Sequence, residues 1–327
     1  MRIISGIQPT GNYHLGNYLG AVQSWVKLQD QHESLFFIAD LHAITIPQDP
    51  EALKQATFDK VVELLALGIN PEKSSIFVQS QVKEHAELAW ILSTITPLGD
   101  LERMTQYKDK AKKQKGELYA GLLNYPILMA ADILLYKAKA VPVVKDQIQH
   151  LEFTRNLAQK FNARFGSTFE VPEPLVPESG GKILSLQDPA RKMSKSDPED
   201  SRLSLLEDPD SIKKKILGAV TDTGKQITYN PEKKPGISNL ITIYSLMGGI
   251  PAKDVEKKFK NKGYAIFKKA LAELLIEKLG VFRKKYQELK SRDLYIHEII
   301  KQGRMKAQSI AESTMEDVRK KVGFLPL

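Results

Sequence analysis

The stretch Arg2-Ile3-Ile4-Ser5-Gly6-Ile7-Gln8-Pro9-Thr10-Gly11-Asn12-Tyr13-His14-Leu15-Gly16-Asn17 decides the fold class. Its first six residues are apolar enough for a strand buried on both faces. Gln8-Pro9-Thr10-Gly11 then breaks the strand, and a helical pattern runs over 16–28. A buried strand followed by a glycine-punctuated turn and a helix is the opening unit of a parallel α/β sheet. In such sheets ligands bind beyond the carboxyl ends of the strands, where helix amides can meet phosphate. Gly11 and Gly16 let backbone approach a ligand, and His14 and Asn17 add donors without fixed charge. The same residues also read as an ordinary strand-to-helix turn carrying a surface histidine.

Working outward, the alternation continues. Residues 35–39 and 75–79 have the length and apolar character of strands, and Asp49-Pro50-Glu51 caps a helix that Gly68 closes. Helical spacing is predicted over 85–95 and 126–138, a β-branched strand over 140–144, and a helix over 147–165. Residues 171–181 are rich in Pro and Gly and are expected to lead the chain out of the sheet. Beyond Pro209 the pattern is charged and helical, with apolar residues at helical spacing in 212–217, 239–247 and 266–279. These observations predict an α/β sheet domain followed by a helical one.

The 327 residues, 42% apolar, suffice for a large core. The N-terminus enters a strand without a signal-peptide pattern, and no apolar run approaches the roughly 20 residues needed to cross a bilayer, so a soluble cytoplasmic protein is expected. With no cysteine in the chain, thiol nucleophiles and cysteine-bound zinc are excluded, leaving oxygen, nitrogen or an oxygen-bound metal such as magnesium. The net charge of +9 suits a polyanionic partner, although lysines on solvated helix faces give the same arithmetic.

Two further features carry chemistry. Lys192-Met193-Ser194-Lys195-Ser196 lies in a polar, proline-bounded stretch; two lysines three apart with hydroxyls between them suit a leaving pyrophosphate. A given pentapeptide occurs by chance in roughly one chain of this size in ten thousand, which separates this one from an ordinary solvated loop. Asp132 interrupts the apolar run 127–136 on the face shared by Leu128 and Leu135. A carboxylate there needs a donor, and a tyrosine hydroxyl or an arginine of the fold is one candidate.

His14-Leu15-Gly16-Asn17 and the pentapeptide at 192–196 resemble the two signature motifs of class I aminoacyl-tRNA synthetases, in the family's order and separation. The chain is further similar to the bacterial and organellar tryptophanyl-tRNA synthetases at Ser5-Gly6-Ile7-Gln8-Pro9-Thr10-Gly11, Asp40-Leu41-His42-Ala43-Ile44-Thr45, Leu101-Glu102-Arg103-Met104-Thr105-Gln106, Met129-Ala130-Ala131-Asp132-Ile133-Leu134-Leu135-Tyr136 and Asp146-Gln147. The likeness continues at Ala219-Val220-Thr221-Asp222 and Lys234-Pro235-Gly236-Ile237-Ser238-Asn239. It spans essentially the whole chain.

The resemblance implies a Rossmann-like parallel-sheet catalytic domain over 1–186, joined by a C-terminal helix at about 293–327, and an α-helical anticodon-binding domain over 187–292 that includes the 192–196 loop. It implies a homodimer that binds L-tryptophan, ATP and tRNA(Trp), with magnesium carried on ATP and no metal of its own. Tryptophan and ATP would give tryptophanyl-adenylate and pyrophosphate, and the adenylate would acylate its tRNA. On this basis Gln8, Pro9, Thr10, Gly16, Asn17, Val144, Lys145, Asp146, Ile183, Lys192, Met193, Ser194, Lys195 and Ser196 meet ATP, and His14, Lys110, Lys192 and Lys195 serve its phosphates. Asp132 receives the indole N–H, with His42 among the tryptophan-binding residues. Ile4, Met129, Val141 and Val143 pack the rings, each equally readable as plain core, and Tyr125 and Gln147 orient the polar end of the amino acid. Phenylalanine cannot donate to Asp132, so binding alone would discriminate by about ten-thousand-fold or more and no editing domain is implied.

The chain departs from the family pattern at Val144-Lys145, where glycine and an acidic residue usually precede the Asp-Gln pair; a shifted strand end or an altered ATP affinity is expected there. Two rival readings differ in testable ways. A tyrosyl-tRNA synthetase shares the fold, but Asp132 in its surroundings and Asn17 closing the first motif argue against it. A non-aminoacylating relative that binds RNA or tryptophan as a regulator is opposed by His14, Lys192 and Lys195, while Val144 and Lys145 keep it open. Lysine pairs at 257–258 and 268–269 read equally as RNA contacts or as solvated helix faces.

Overall fold

The computed structural model describes residues 1–11, 13–105, 117–143, 147–176, 182–194 and 197–325. Five parallel strands, β1 (Arg2–Ile7), β2 (Glu33–Ile38), β3 (Ser74–Val78), β4 (Ala140–Pro142) and β5 (Glu173–Leu175), form one sheet in the order β3-β2-β1-β4-β5. The order reverses beside β1, between the β1–β2 and β1–β4 pairings, which makes the carboxyl ends of these strands the expected ligand edge. Ile3, Ile4, Leu35, Phe36, Ile38, Ile76 and Phe77 are buried, as strands covered on both faces require.

The composition of 171–181 predicts a departure from the sheet, yet β5 lies inside that stretch. Val143 donates its N–H to Leu175 and Glu173 donates to the Lys139 carbonyl, which extends the sheet by one strand. The strand is hidden in the sequence because it is short, mostly exposed and holds Pro174, which an edge position tolerates.

Helices fill the crossovers. In chain order α1 (Leu15–Asn17) continues through a π-helical stretch, Tyr18–Val22, into α2 (Gln23–Leu28); α3 (Asp40–Ala43) follows β2, and α4 (Pro50–Ala66) leads to β3. Asp49 caps α4 by accepting from the Ala52 N–H, with Pro50 in its first turn as the sequence predicts. After β3 come α5 (Glu84–Ser93), α6 (Leu98–Glu102) and α7 (Ala120–Leu134), then β4 and α8 (Ile148–Phe165). The predicted helix at 126–138 begins six residues earlier, at Ala120, and ends at Leu134. Pro126 sits inside the helix, which starts from Tyr119 in an extended conformation. Then come α9 (Pro209–Gly218), α10 (Pro235–Gly248), α11 (Ala252–Lys258), α12 (Gly263–Lys290) and α13 (Asp293–Val322).

Two compact units result. One comprises Met1–Thr10, Trp25–Pro177 and Arg292–Leu327; the other comprises Gly11–Ser24 and Glu178–Ser291. The first motif, from Gly11 onward, thus groups with the helical unit. In the sheet unit, α13 covers the outer strand β3: a side chain at Gly303 would place its Cβ 1.9 Å from the Ile76 carbonyl oxygen, so only glycine permits that approach. Ala307, Ala311, Met315 and Val318 continue the buried face, and Arg319 forms a two-pronged ion pair with Glu87 on α5. In the helical unit, Asp222 accepts from the Gly236 and Ile237 N–H groups and so caps α10. Lys268 donates to the Leu217 and Ala219 carbonyls at the end of α9, and Lys258 reaches the Tyr244 hydroxyl. Both lysines, which read from sequence as surface charge or RNA contacts, serve the fold.

Candidate active site

In the helical unit the two signature motifs meet. Residues 13–15 pair antiparallel with 203–205: Leu15 donates to the Leu203 carbonyl, Leu205 donates to Tyr13, and His14 bridges Ser204. His14 is thereby 4% exposed, which overturns the surface-histidine reading of this turn. Asn17 reaches back to accept from the His14 N–H at 3.3 Å, half of a capping box. A Cβ at Gly16 would lie 3.0 Å from His14 Nδ1 and 3.6 Å from the Ile183 Cβ, so glycine admits both neighbours.

Ile183 opens the hairpin that carries the second motif. Met193 donates to the Ile183 carbonyl, Ser185 donates to Arg191, and Leu184 bridges Lys192. Asn239 clamps the hairpin base from α10, accepting from the Leu184 N–H at 2.8 Å and donating to its carbonyl at 3.0 Å. Asp197 accepts from the Ser194 N–H and from Arg191, fixing the far end of the turn. Met193 and Ile183 are buried while Lys192 is exposed, so the hairpin anchors its apolar side and offers its lysine to solvent. His14, Gly16, Asn17, Ile183, Lys192, Met193 and Ser194 thus belong to one assembly. Lys110, Val144, Lys145, Asp146, Lys195 and Ser196 lie outside the described residues, as does the Val144-Lys145 departure.

In the sheet unit the site is built around Asp132. Tyr125, Met129 and Asp132 follow one another at four and three residues along α7 and share a face. Asp132, 2% exposed, accepts three hydrogen bonds: from Gln79 Nε2 at 2.6 Å and His85 Nδ1 at 2.7 Å on Oδ1, and from His42 Nε2 at 2.7 Å on Oδ2. Sequence reasoning offers a tyrosine or an arginine as partner for this carboxylate; the fold supplies two imidazoles and an amide. Burial works against its charge, but His42 and His85 more than offset that and hold its pKa at about 2.

Each donor comes from a strand end or the helix beyond it. His42 lies on α3, the short helix that follows β2, and Gln79 directly follows β3. Asp40 ties these ends together by accepting from the Ser80 backbone N–H and hydroxyl. His85 is on α5 and also contacts the Tyr136 hydroxyl at 2.8 Å. Ile4, Val141 and Val143 are buried in the surrounding apolar cluster, with Met129 packed against it. Tyr125 and His42 meet edge to face, and the Tyr125 hydroxyl pairs with His150 Nε2 at 2.8 Å. Burial pushes the Tyr125 phenol up to about 12, so it stays protonated and able to donate. Gln147, half-buried, precedes α8; Gln8 is exposed, Pro9 buried and Thr10 half-buried at the end of β1.

Sequence reasoning misses Gln79, His85 and Tyr136 as parts of this cluster. Gln79 stands at the carboxyl end of a parallel strand, where ligand-edge residues are found, and that position is the signal that could have found it. Nothing local marks His85, whose partner is 47 positions away. Among the described residues, no group of three or more His, Asp or Glu is placed to hold a metal ion. No described helix is long and apolar enough to cross a membrane.

Comparison with known proteins gives this geometry its relatives. The family model for class I tRNA synthetases (W and Y) matches residues 1–280. The tryptophan–tRNA ligase of Caldanaerobacter subterraneus subsp. tengcongensis is 49% identical over 325 residues, covering 99% of this chain and 98% of that protein. The tryptophan–tRNA ligase of Wolinella succinogenes is 48% identical with 99% of both chains covered. The crystal structure of tryptophanyl-tRNA synthetase from Mycoplasma pneumoniae superposes with a TM-score of 0.91 at 35% identity, covering 99% of this chain and 98% of that one. The Campylobacter jejuni enzyme, complexed with ADP and tryptophan, gives 0.84 at 38% identity, with 99% and 100% covered. A tyrosyl-tRNA synthetase from Aeropyrum pernix is 19% identical with a TM-score of 0.67, a likeness of fold alone. With its two motifs joined in one unit and such relatives along nearly its full length, the chain belongs to the class I tRNA synthetases, among the bacterial-type tryptophan–tRNA ligases.

Proposed function

We propose that tryptophan activation is divided between the two assemblies: the Asp132 cluster selects the amino acid, and the paired motifs handle ATP. The observation that carries this reading is the buried, ionised Asp132, an acceptor-only group on the ligand edge of a parallel sheet. Indole N–H is only a donor, and Asp132 Oδ2 retains capacity for a second hydrogen bond beside the one from His42. Ile4, Met129, Val141 and Val143 supply the apolar walls, while Tyr125 and Gln147 orient the ammonium and carboxylate. The tryptophan carboxylate attacks the α-phosphate of ATP, so the protein contributes positioning and charge stabilisation in place of a nucleophile.

Gln8, Pro9, Thr10, Gly16, Asn17 and Ile183 hold the nucleotide in this reading, joined by Val144 to Asp146, Met193, Ser194 and Ser196. His14, Lys110, Lys192 and Lys195 neutralise the phosphates, with magnesium arriving on ATP. The exposed Lys192 on an anchored hairpin supports that role, since a cation of this kind can close on the leaving pyrophosphate. Lysines 225, 253, 257, 260 and 262 line one cavity of the helical unit, and we assign them to the tRNA backbone. A homodimer working in the cytoplasm completes the proposal; exposed Trp90 and Leu98, 72% and 60% accessible, are apolar groups available to a second copy.

Lys195→Ala tests the division of labour. Adenylation should slow by about a hundredfold or more while tryptophan affinity, read by equilibrium dialysis, stays within about twofold. An equal loss in both would show that the loop does not act on the transition state.

A further inference from the structure

The Asp132 cluster is asymmetric. Gln79 Oε1 accepts the Leu41 N–H at 3.1 Å, which turns its amide nitrogen toward Asp132 Oδ1. His85 is held between two groups, with Nδ1 at 2.7 Å from Oδ1 and Nε2 at 2.8 Å from the Tyr136 hydroxyl. A carboxylate can only accept, so Nδ1 donates its proton to Oδ1, and the Tyr136 hydroxyl holds the ring from Nε2. The ring is boxed by Phe37, Phe77 and Tyr136 at centroid distances of 5.9, 6.2 and 5.4 Å. Gly6 permits that box, because a Cβ there would fall 2.3 Å from the Phe37 ring. Oδ1 is therefore saturated from the buried side by donors that cannot turn away.

Oδ2 differs. Its partner His42 is also buried but less completely, with a side chain 10% exposed against 0% for His85, and its ring lies beside Tyr125. We propose that His85, backed by Tyr136, and Gln79 are positioning residues for amino-acid selectivity: they fix Oδ1 and so aim Oδ2 at the substrate, where His42 shares it with the indole N–H. This inference rests on Asp132 being the indole acceptor. It adds residues that touch no substrate atom yet decide how well N–H is told from its absence. Without them the carboxylate plane can turn off the line to the indole N–H, and an analogue lacking the donor is penalised less.

The test uses ATP-pyrophosphate exchange by the full chain with tryptophan and with 3-benzothienylalanine, which keeps the bicyclic shape but carries sulfur in place of N–H. The readout is the ratio of the two kcat/KM values. His85→Leu should lower the ratio about 10- to 100-fold, mainly through the KM for tryptophan, as loss of one hydrogen bond to a charged group implies. His85→Asn, whose side-chain amide can stand where Nδ1 stood, should restore most of it, and Tyr136→Phe should lower it several-fold. If His85→Leu does not fold, Tyr136→Phe, which removes a single oxygen, decides the matter alone. A ratio unchanged in His85→Leu or Tyr136→Phe, or equal in His85→Leu and His85→Asn, overturns the proposal. Asp132→Asn separates the two levels: if it too leaves the ratio unchanged, the indole reading itself has failed, whereas its collapse beside an unchanged His85→Leu removes only the positioning role.

Discussion

Replacing Asp132 by asparagine alters the centre of the candidate site with almost no change of shape. Gln79 is committed as a donor by its bond from Leu41, so the new amide must turn its oxygen toward Gln79 and His85 and its NH2 toward His42. With Asp132 as the proposed indole acceptor, that NH2 would meet the indole N–H, donor against donor. The stability cost follows from the titration of the carboxylate. Its pKa falls from the ordinary 3.8 to about 2, which favours the folded state by roughly 2 to 3 kcal/mol. Because the folded value is the lower one, this stabilisation is complete above the unfolded pKa and is lost as pH falls toward 2. Urea unfolding of wild type and Asp132→Asn between pH 6 and pH 2.5 should show a constant gap at the upper end. Below about pH 3.8 the gap should narrow by about 1.4 kcal/mol per pH unit. In exchange assays the variant should lose about three to five orders of magnitude in discrimination of tryptophan from phenylalanine. A gap independent of pH would refute the charged cluster, and retained discrimination would refute its role toward indole.

Two further outcomes follow from particular residues. Gly303→Ala places a methyl group against the Ile76 carbonyl and should destabilise the fold by about 2 kcal/mol or more, read by thermal unfolding, with the tryptophan-to-phenylalanine ratio unchanged. Lys257→Glu with Lys260→Glu should weaken tRNA binding and reduce the slope of log K against log salt by about one for each phosphate no longer neutralised, while tryptophan-dependent exchange stays normal.

The sheet and both signature motifs are legible because they are written locally. Burial on both faces shows as the adjacent Ile3-Ile4 pair of β1 and the apolar run of β2, and the turn at Gly11 and Gly16 needs residue types that few other positions demand. The helix from Pro50 carries its own cap at Asp49. What stays hidden depends on distant partners. β5 exists because Val143 and Lys139 offer an open edge, and its own residues carry no apolar alternation. Gln79 and His85 act on Asp132 across 53 and 47 positions, and no spacing rule links them. The helix predicted from 126 begins after Tyr119, where no side-chain cap marks its start. Lys268 likewise reads as surface charge until the carbonyls that end α9 are seen beside it.

Adenylation of tryptophan at the Asp132 cluster is tested most directly by ATP-pyrophosphate exchange, with the wild-type chain given each standard amino acid in turn. Exchange is expected with tryptophan alone, whose bicyclic ring brings an N–H to the buried acceptor at Asp132 in the proposed site. Exchange with tyrosine instead would contradict the selectivity assigned to that cluster. Tryptophan binding without any exchange would contradict the adenylation assigned to the paired motifs.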